Sequence, residues 1–265
     1  MKVGFIGAGN MGSALAKAIS IRENVNLYIY DKDAEKAEAL AKSINATASD
    51  NRTIARECDF VFLAVKPGII PAAAKEISDL INDRENVTVV SMAAGVAISS
   101  ITEAFGSASV PIIRIMPNTP VALCCGMTLW CKNGRVSDEV AKSFTDMMSA
   151  TGHLDEISEK SIDAASAVSG CGPAFVYMFI EALADGGVEC GLTRDKALLY
   201  AAKTLSGAAE MVIQGVGHPE ELKDAVCSPG GSTIAGVHAL EEGAFRATAA
   251  NAVISAYKKT LTLGK

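Results

Sequence analysis

A glycine-rich turn, Gly7-Ala8-Gly9-Asn10-Met11-Gly12, stands directly behind an apolar run from Val3 to Ile6 and ahead of a helical pattern from Ser13 to Ile19. Strand, glycine turn and helix in this order form a cradle for the pyrophosphate of a dinucleotide. Each glycine has its own task. Gly7 permits the tight turn, Gly9 lets backbone come close to the phosphates, and Gly12 lets the helix pack against the strand. Ile6, Ala8, Asn10 and Met11 complete the turn, and the free N–H groups at the helix start face the anion. The plain alternative is a glycine turn that holds nothing.

The pattern downstream of Gly12 supports the cradle. Val3 to Ile6, Leu27 to Tyr30, Phe60 to Val65, Val87 to Ser91, Ile112 to Ile115 and Thr128 to Cys131 are strand-like, and their near-continuous apolar character suits a sheet covered on both faces. Helical segments lie between them; in Ala34 to Lys42, for example, Ala37, Leu40 and Ala41 share a face. This alternation predicts an α/β fold, a Rossmann-type doubly wound parallel sheet over residues 1–157. From Ser161 onward only Ala-rich helical segments remain, so residues 158–265 are expected to form an all-helical domain. Thr193 starts a helix ended by Gly215, Pro219 opens another, and Ala244 to Leu261 is the last. More apolar faces occur here than one small bundle can bury. A homodimer, with further assembly open, is therefore expected.

Ligands in open sheets bind beyond the carboxyl ends of the strands. That places Asp31 and Lys32, Ala64-Val65-Lys66-Pro67 and Met92-Ala93-Ala94 around the dinucleotide. Asp31 stands 19 residues after Gly12, where an acid accepts a bond from a ribose 2′-OH, as in NADH. Lys32 would suit the 2′-phosphate of NADPH equally, and Asp31-Lys32-Asp33 is also a plain turn, so NADH or NADPH stays undecided.

Charge narrows the partners. Lys and Arg number 15 against 16 Asp and Glu up to residue 150, and 9 against 14 beyond it. With no basic stripe, nucleic acid is not an expected partner. Seven cysteines without a C-x-x-C pair, and three histidines in the whole chain, give no expected metal site. The cysteines read as small buried hydrophobes in a reducing cytoplasm. Strand residues begin at Val3, so a signal peptide is not expected. Uncharged stretches are broken by Gly or Pro, as at Gly170 to Pro173, so no membrane span is expected.

In the second half, Asp224-Ala225-Val226-Cys227-Ser228-Pro229-Gly230-Gly231-Ser232-Thr233 runs into a helical pattern from Ile234 to Leu240. Pro229 and the two glycines make a bend, and small hydroxyl residues then open a helix whose N–H groups form a ready anion site. Alone, it could equally be a capped turn between helices.

It joins other motifs: Gly7 to Gly12, Ala64 to Pro67, Met116-Pro117-Asn118-Thr119-Pro120, Ser169-Gly170-Cys171-Gly172-Pro173-Ala174 and Ala184-Asp185-Gly186-Gly187. Carrying these in order along nearly its whole length, the chain resembles the pyrroline-5-carboxylate reductases. The resemblance implies hydride transfer from NAD(P)H to a cyclic imino acid, 1-pyrroline-5-carboxylate, giving proline. It implies interlocked helical domains in a dimer, with the substrate where two of them meet beside the nicotinamide. By similarity, Ser228, Gly230, Gly231, Ser232 and Thr233 would hold the substrate carboxylate, and the Thr233 hydroxyl would sit by the imine nitrogen as the catalytic group. Asn51 and Glu159 match positions that touch the cofactor. Ala225 departs from an Asn that contacts the cofactor in some members, and Asp31-Lys32 replaces a shorter, often Ser- or Asn-containing turn.

The same dinucleotide half admits two rival readings. A related hydroxyacid dehydrogenase would use a Lys on the long helix entering the second domain, yet the segment Ser161 to Leu183 contains none. A non-catalytic dinucleotide-sensing protein would have no need of the intact Ser228 to Thr233 loop. His153, His218 and His238 read as structural or surface residues, His218 as a helix start before Pro219.

Overall fold

The structure is a computed structural model that describes residues 1–263, and the chain divides into two compact units. One comprises Met1–Cys171 together with the C-terminal end from Ala256; the other is Gly172–Ser255.

The first unit is built on strands β1 (Lys2–Ile6), β2 (Asn26–Tyr30), β3 (Thr47–Ala48), β4 (Phe60–Leu63), β5 (Thr88–Ser91), β6 (Ile112–Pro117), β7 (Gly126–Lys132) and β8 (Gly152–Glu156). They form one sheet in the order β3-β2-β1-β4-β5-β6-β7-β8. Seven helices belong with it: α1 (Asn10–Ile19), α2 (Ala34–Ser43), α3 (Asn51–Glu57), α4 (Ile70–Asn82), α5 (Ile98–Phe105), α6 (Asp138–Met148) and α7 (Glu159–Ser169).

Both faces of this sheet are covered, which is why its strands are apolar without alternation. Within β4, Phe60 and Phe62 join the core under α1, α2 and α6, while Val61 and Leu63 join that under α3, α4, α5 and α7. Phe5 of β1 stacks on Phe62 at 4.5 Å between ring centres. The two cores also account for the cysteines buried there. Burial pushes the thiol of Cys58 up to about 12 and that of Cys131 up to about 11, so both stay protonated and inert.

All strand pairs are parallel except β6 with β7. A wholly parallel sheet was the expectation, and the connection explains the difference. Between Pro117 and Gly126 lies only a short segment with a 3-10 turn at Thr119–Leu123. A parallel crossover needs about a dozen residues or more. The chain can therefore only turn back. The edge strands β3 and β8 have no counterpart among the strands expected from sequence, the first because it is two residues long, the second because GHLDE carries too few apolar residues.

The second unit holds α8 (Gly172–Glu189), α9 (Arg194–Ile213), α10 (Pro219–Ala225), α11 (Ser232–Glu242) and most of α12 (Phe245–Thr260). Small residues bring α8 and α9 together: a Cβ added to Gly187 would stand 3.3 Å from that of Ala197. Thr193 is the N-cap of α9, as expected, and Gly215 follows its end at φ +67°. His218 caps α10 in a reciprocal box with Glu221, with Pro219 in the first turn. Lys223 and then Arg246 pull the Glu220 carboxyl down to about 2, and Arg246 also bonds Glu241. Phe179 of α8 packs on Phe245 of α12, with ring centres 5.3 Å apart.

The start of the helical half differs from expectation. A single helix from Ser161 to Leu183 is instead α7 and α8, separated at Gly170-Cys171, and α7 groups with the sheet because Ile162 is buried in its core. By compactness the units divide after Cys171. Gly170 to Pro173 also breaks the apolar run less than expected, since Gly172 and Pro173 already belong to the first turn of α8. Counted together across that break, Glu159–Glu189 is long and apolar enough to cross a membrane by length and composition only. Many of its apolar side chains, among them Val176, Tyr177 and Met178, are exposed in the single chain, as are Leu199, Met211 and Ile213 of α9. Large apolar side chains left exposed in this number suit an interface.

Candidate active site

Since β1, β2, β4 and β5 are parallel, the loops that leave them lie at one edge of the sheet. Those loops carry Gly7 to Gly12, Asp31 with Lys32, Ala64 to Pro67, and Met92 to Ala94. The chain runs outward from β1 to β2 and β3, then crosses back to β4 on the other side of β1. That reversal opens the crevice in which such sheets bind their ligands.

The three glycines of the turn differ in their surroundings. Gly7 adopts φ +112°, which side chains rarely tolerate, and a Cβ there would stand 2.4 Å from the Ala64 carbonyl oxygen. At Gly12 a Cβ would meet the Gly7 carbonyl oxygen at 2.6 Å, so helix and turn could not close. A Cβ on Gly9 meets nothing within 4 Å. That open side is where a ligand can approach backbone. Gly9 is the N-cap of α1 and has no side chain to satisfy the helix start. The first intrahelical bond runs from Ser13 N–H to Gly9 oxygen (2.8 Å), so the N–H groups of Asn10, Met11 and Gly12 precede it.

Asp31 has a role that its position in the sequence did not reveal. One carboxylate oxygen accepts the Ala8 N–H at 2.7 Å and the other the Asp33 N–H at 3.0 Å. Its charge is thereby fixed against the glycine turn. Lys32 beside it is exposed. Ile6 and Ala8 are buried, Lys66 is exposed, and Met11, Ala64, Val65, Pro67, Met92 and Ala94 are partly so; Ala93 is buried, with its N–H toward the Ser91 hydroxyl at 3.4 Å.

Asn51 opens α3 just after the N-cap Asp50, which accepts the Thr53 N–H at 2.9 Å. The Asn51 side chain is buried; its Nδ2 donates to Glu76 at 2.8 Å, and its Oδ1 has no partner among the described residues. An unpartnered buried acceptor at Asn51, and an open glycine turn with uncapped helix N–H groups, are a donor and acceptor set that fits a dinucleotide.

Glu159 serves elsewhere as well. It accepts the Ile98 N–H at 2.6 Å, capping α5 across space, and lies 3.6 Å from Arg114. Arg114 sits on β6 at 1% exposure and bonds Asp163 of α7 at 2.5 Å. Sequence reasoning passes over this network, although a charge inside the apolar run Ile112 to Ile115 is its signal: a buried guanidinium requires an anion. We expect Asp163→Ala to cost about 3 kcal/mol, because it removes the nearest partner of a buried cation. Urea unfolding with an unchanged midpoint would contradict that.

The second constellation lies in the helical unit. Gly230 takes φ +67°, and the Gly231 N–H donates to Ser228 oxygen at 3.0 Å, closing a tight turn. Gly231 is the N-cap of α11, again without a side chain. Ala235 N–H is the first to bond back, to Gly231 oxygen at 3.4 Å, so the N–H groups of Ser232, Thr233 and Ile234 precede it. Ser228, Gly230, Ser232 and Thr233 line this turn and helix start, and all four are exposed. The Gly231 N–H, expected among the anion donors, is instead engaged inside the turn.

A glycine-rich strand–turn–helix at the carboxyl edge of a mostly parallel sheet, with a helical unit rich in uncovered apolar side chains, defines a dinucleotide-dependent oxidoreductase. Comparison with known proteins identifies the family. Residues 2–95 match the model described as NADP oxidoreductase coenzyme F420-dependent, and residues 159–263 match pyrroline-5-carboxylate reductase dimerisation. Pyrroline-5-carboxylate reductase 2 of Rattus norvegicus is 41% identical over 99% of this chain and 84% of its own length. The pyrroline-5-carboxylate reductase of Escherichia coli (strain K12) is 38% identical over 100% and 98%. Among solved structures, the Plasmodium falciparum pyrroline carboxylate reductase with NADP bound superimposes with TM-score 0.91 at 34% identity, covering 100% of this chain and 98% of that one. This chain belongs to the pyrroline-5-carboxylate reductase family. A ketol-acid reductoisomerase from an uncultured archean, at 16% identity and TM-score 0.66, shares the fold alone.

Proposed function

We propose that the chain reduces 1-pyrroline-5-carboxylate to L-proline with NADH or NADPH, the last step of proline biosynthesis. The observation that carries this reading is the uncapped start of α11 behind the Ser228–Gly231 turn, a seat for a small carboxylate in a protein whose other unit is built for a dinucleotide. Full-length similarity to reductases of that name supports the choice of substrate.

When bound, the reduced nicotinamide supplies a hydride. The N–H groups of Ser232 and Thr233, with Gly230, hold the substrate carboxylate, and Ser228 and Gly231 fix the shape of the turn. Holding the carboxylate orients the ring so that its imine carbon meets the donor, which is most of what this chemistry needs. A cyclic imine is basic enough to be partly protonated, and the iminium accepts hydride at carbon. Thr233 sits at the nitrogen, bonding it or passing it a proton from water. At the other ligand, the N–H groups of Asn10, Met11 and Gly12 would hold the pyrophosphate, and Asn51 Oδ1 is the unpartnered acceptor that could take a hydroxyl. Ala64 to Pro67 and Met92 to Ala94 would border the nicotinamide. Glu159 acts by fixing the start of α5.

In the direct test, the near-ultraviolet absorbance of the reduced dinucleotide falls only when protein and imine are both present. A folded sample that oxidises neither dinucleotide overturns the proposal. Thr233→Ala should lower kcat about 100-fold with the fold intact, because the side chain is exposed. Unchanged turnover would make the hydroxyl a bystander.

The working form is a homodimer, with further assembly in reach, and its place is the cytoplasm. The exposed apolar side chains of α8 and α9 and the match to a dimerisation model support the first, and seven unpaired cysteines support the second. Light scattering should give twice the chain mass or a multiple of it; monomer alone at working concentration would contradict the dimer.

A further inference from the structure

We propose that Asp31 makes this protein prefer NADH to NADPH. The inference rests on the dinucleotide reading and deepens it. At the end of β2, the Asp31 carboxylate is held by the N–H of Ala8, inside the glycine turn, and by that of Asp33. It cannot swing away when a ligand arrives without releasing both bonds. Each oxygen keeps a further lone pair, which can accept a ribose hydroxyl. A 2′-phosphate in the same place brings up to two negative charges against a fixed one, and offers that carboxylate no hydrogen to accept.

The opposing cation is Lys32. Its side chain is exposed and has no ion-pair partner among the described residues, so its ammonium is mobile and well hydrated. Exposed pairs of that kind change affinity by only several-fold. Asp33, the other carboxylate of the turn, faces Lys36 at 3.5 Å and caps α2, so its charge is matched there. A fixed anion on the turn therefore outweighs a mobile cation beside it.

The test uses the full chain without imine, so that it does not depend on the reductase reaction. Calorimetric titration should show NAD+ bound at least about tenfold more tightly than NADP+, since one fixed repulsion of about 1.4 kcal/mol is a factor of ten. Asp31→Asn keeps an oxygen for the Ala8 N–H and removes the charge; it should bring the two affinities together, and the ratio of kcat/KM for NADH and NADPH should follow. Equal binding of NAD+ and NADP+ by the unaltered protein overturns the proposal while leaving the reductase reading intact. So does a ratio that Lys32→Ala shifts and Asp31→Asn does not. If neither dinucleotide binds, the dinucleotide reading itself fails, and the proposal with it.

Discussion

Gly230→Asp should lower kcat/KM for the imine about a thousandfold. The turn before α11 leaves Gly230 at φ +67° with open space where its side chain would be. Aspartate is among the few residues that adopt this conformation readily, so the turn should survive the change. Its carboxylate, however, would stand in the seat proposed for the substrate's own. Two like charges about 4 Å apart near a protein surface repel by about 4 kcal/mol, and each 1.4 kcal/mol is a factor of ten. Gly230→Asn supplies the same bulk without charge and should lose far less. Steady-state kinetics on both variants, with NAD+ titrated as a control for an intact first unit, separate charge from shape. Normal affinity for the imine in the aspartate variant would refute the carboxylate seat.

Gly9→Asp should weaken dinucleotide binding at least about 100-fold, or ~2.7 kcal/mol, while the protein becomes no less stable. The two effects have opposite physical origins. A Cβ at Gly9 meets nothing within 4 Å, and the position is the N-cap of α1, where aspartate is better than glycine by a few tenths of a kcal/mol. The new carboxylate would take the very N–H groups of α1 that are offered to the pyrophosphate. Thermal melting paired with NAD+ titration reads both at once. An unaltered dissociation constant would remove the phosphate from this helix start, whereas a collapsed melting point would show that Gly9 serves packing, as Gly12 does against Gly7.

Much of this organisation is legible in the sequence because the relevant signals are local. Phe60 to Leu63 must be covered on both faces, and strands so covered belong to a sheet with helices on either side. The turn from Gly7 to Gly12 and the bend at Gly230 are set by residue types that few alternatives replace. What stayed hidden depends on distant partners or on connection length. The reversal of β7 comes from the short link after Pro117, and the two-residue β3 is too brief for any periodicity to register. Arg114 reveals its meaning only when Asp163 and Glu159, far along the chain, come within reach. The double duty of Asp31 was equally invisible, since its bond to Ala8 exists only once β1 and β2 pair. The apolar surface of α8 and α9 was legible as excess, and the family match gives it a partner.

The central claim is that the dinucleotide seated on the glycine turn and the imine seated at α11 react by direct hydride transfer. Reduced dinucleotide carrying deuterium at the transferring position of C4 tests it most directly, with the proline product read by mass spectrometry and NMR. Each proline should carry one deuterium, on the carbon that had been the imine carbon, and none taken up there from heavy water. Proline formed without that label, or labelled dinucleotide left unconsumed beside the imine, would contradict it.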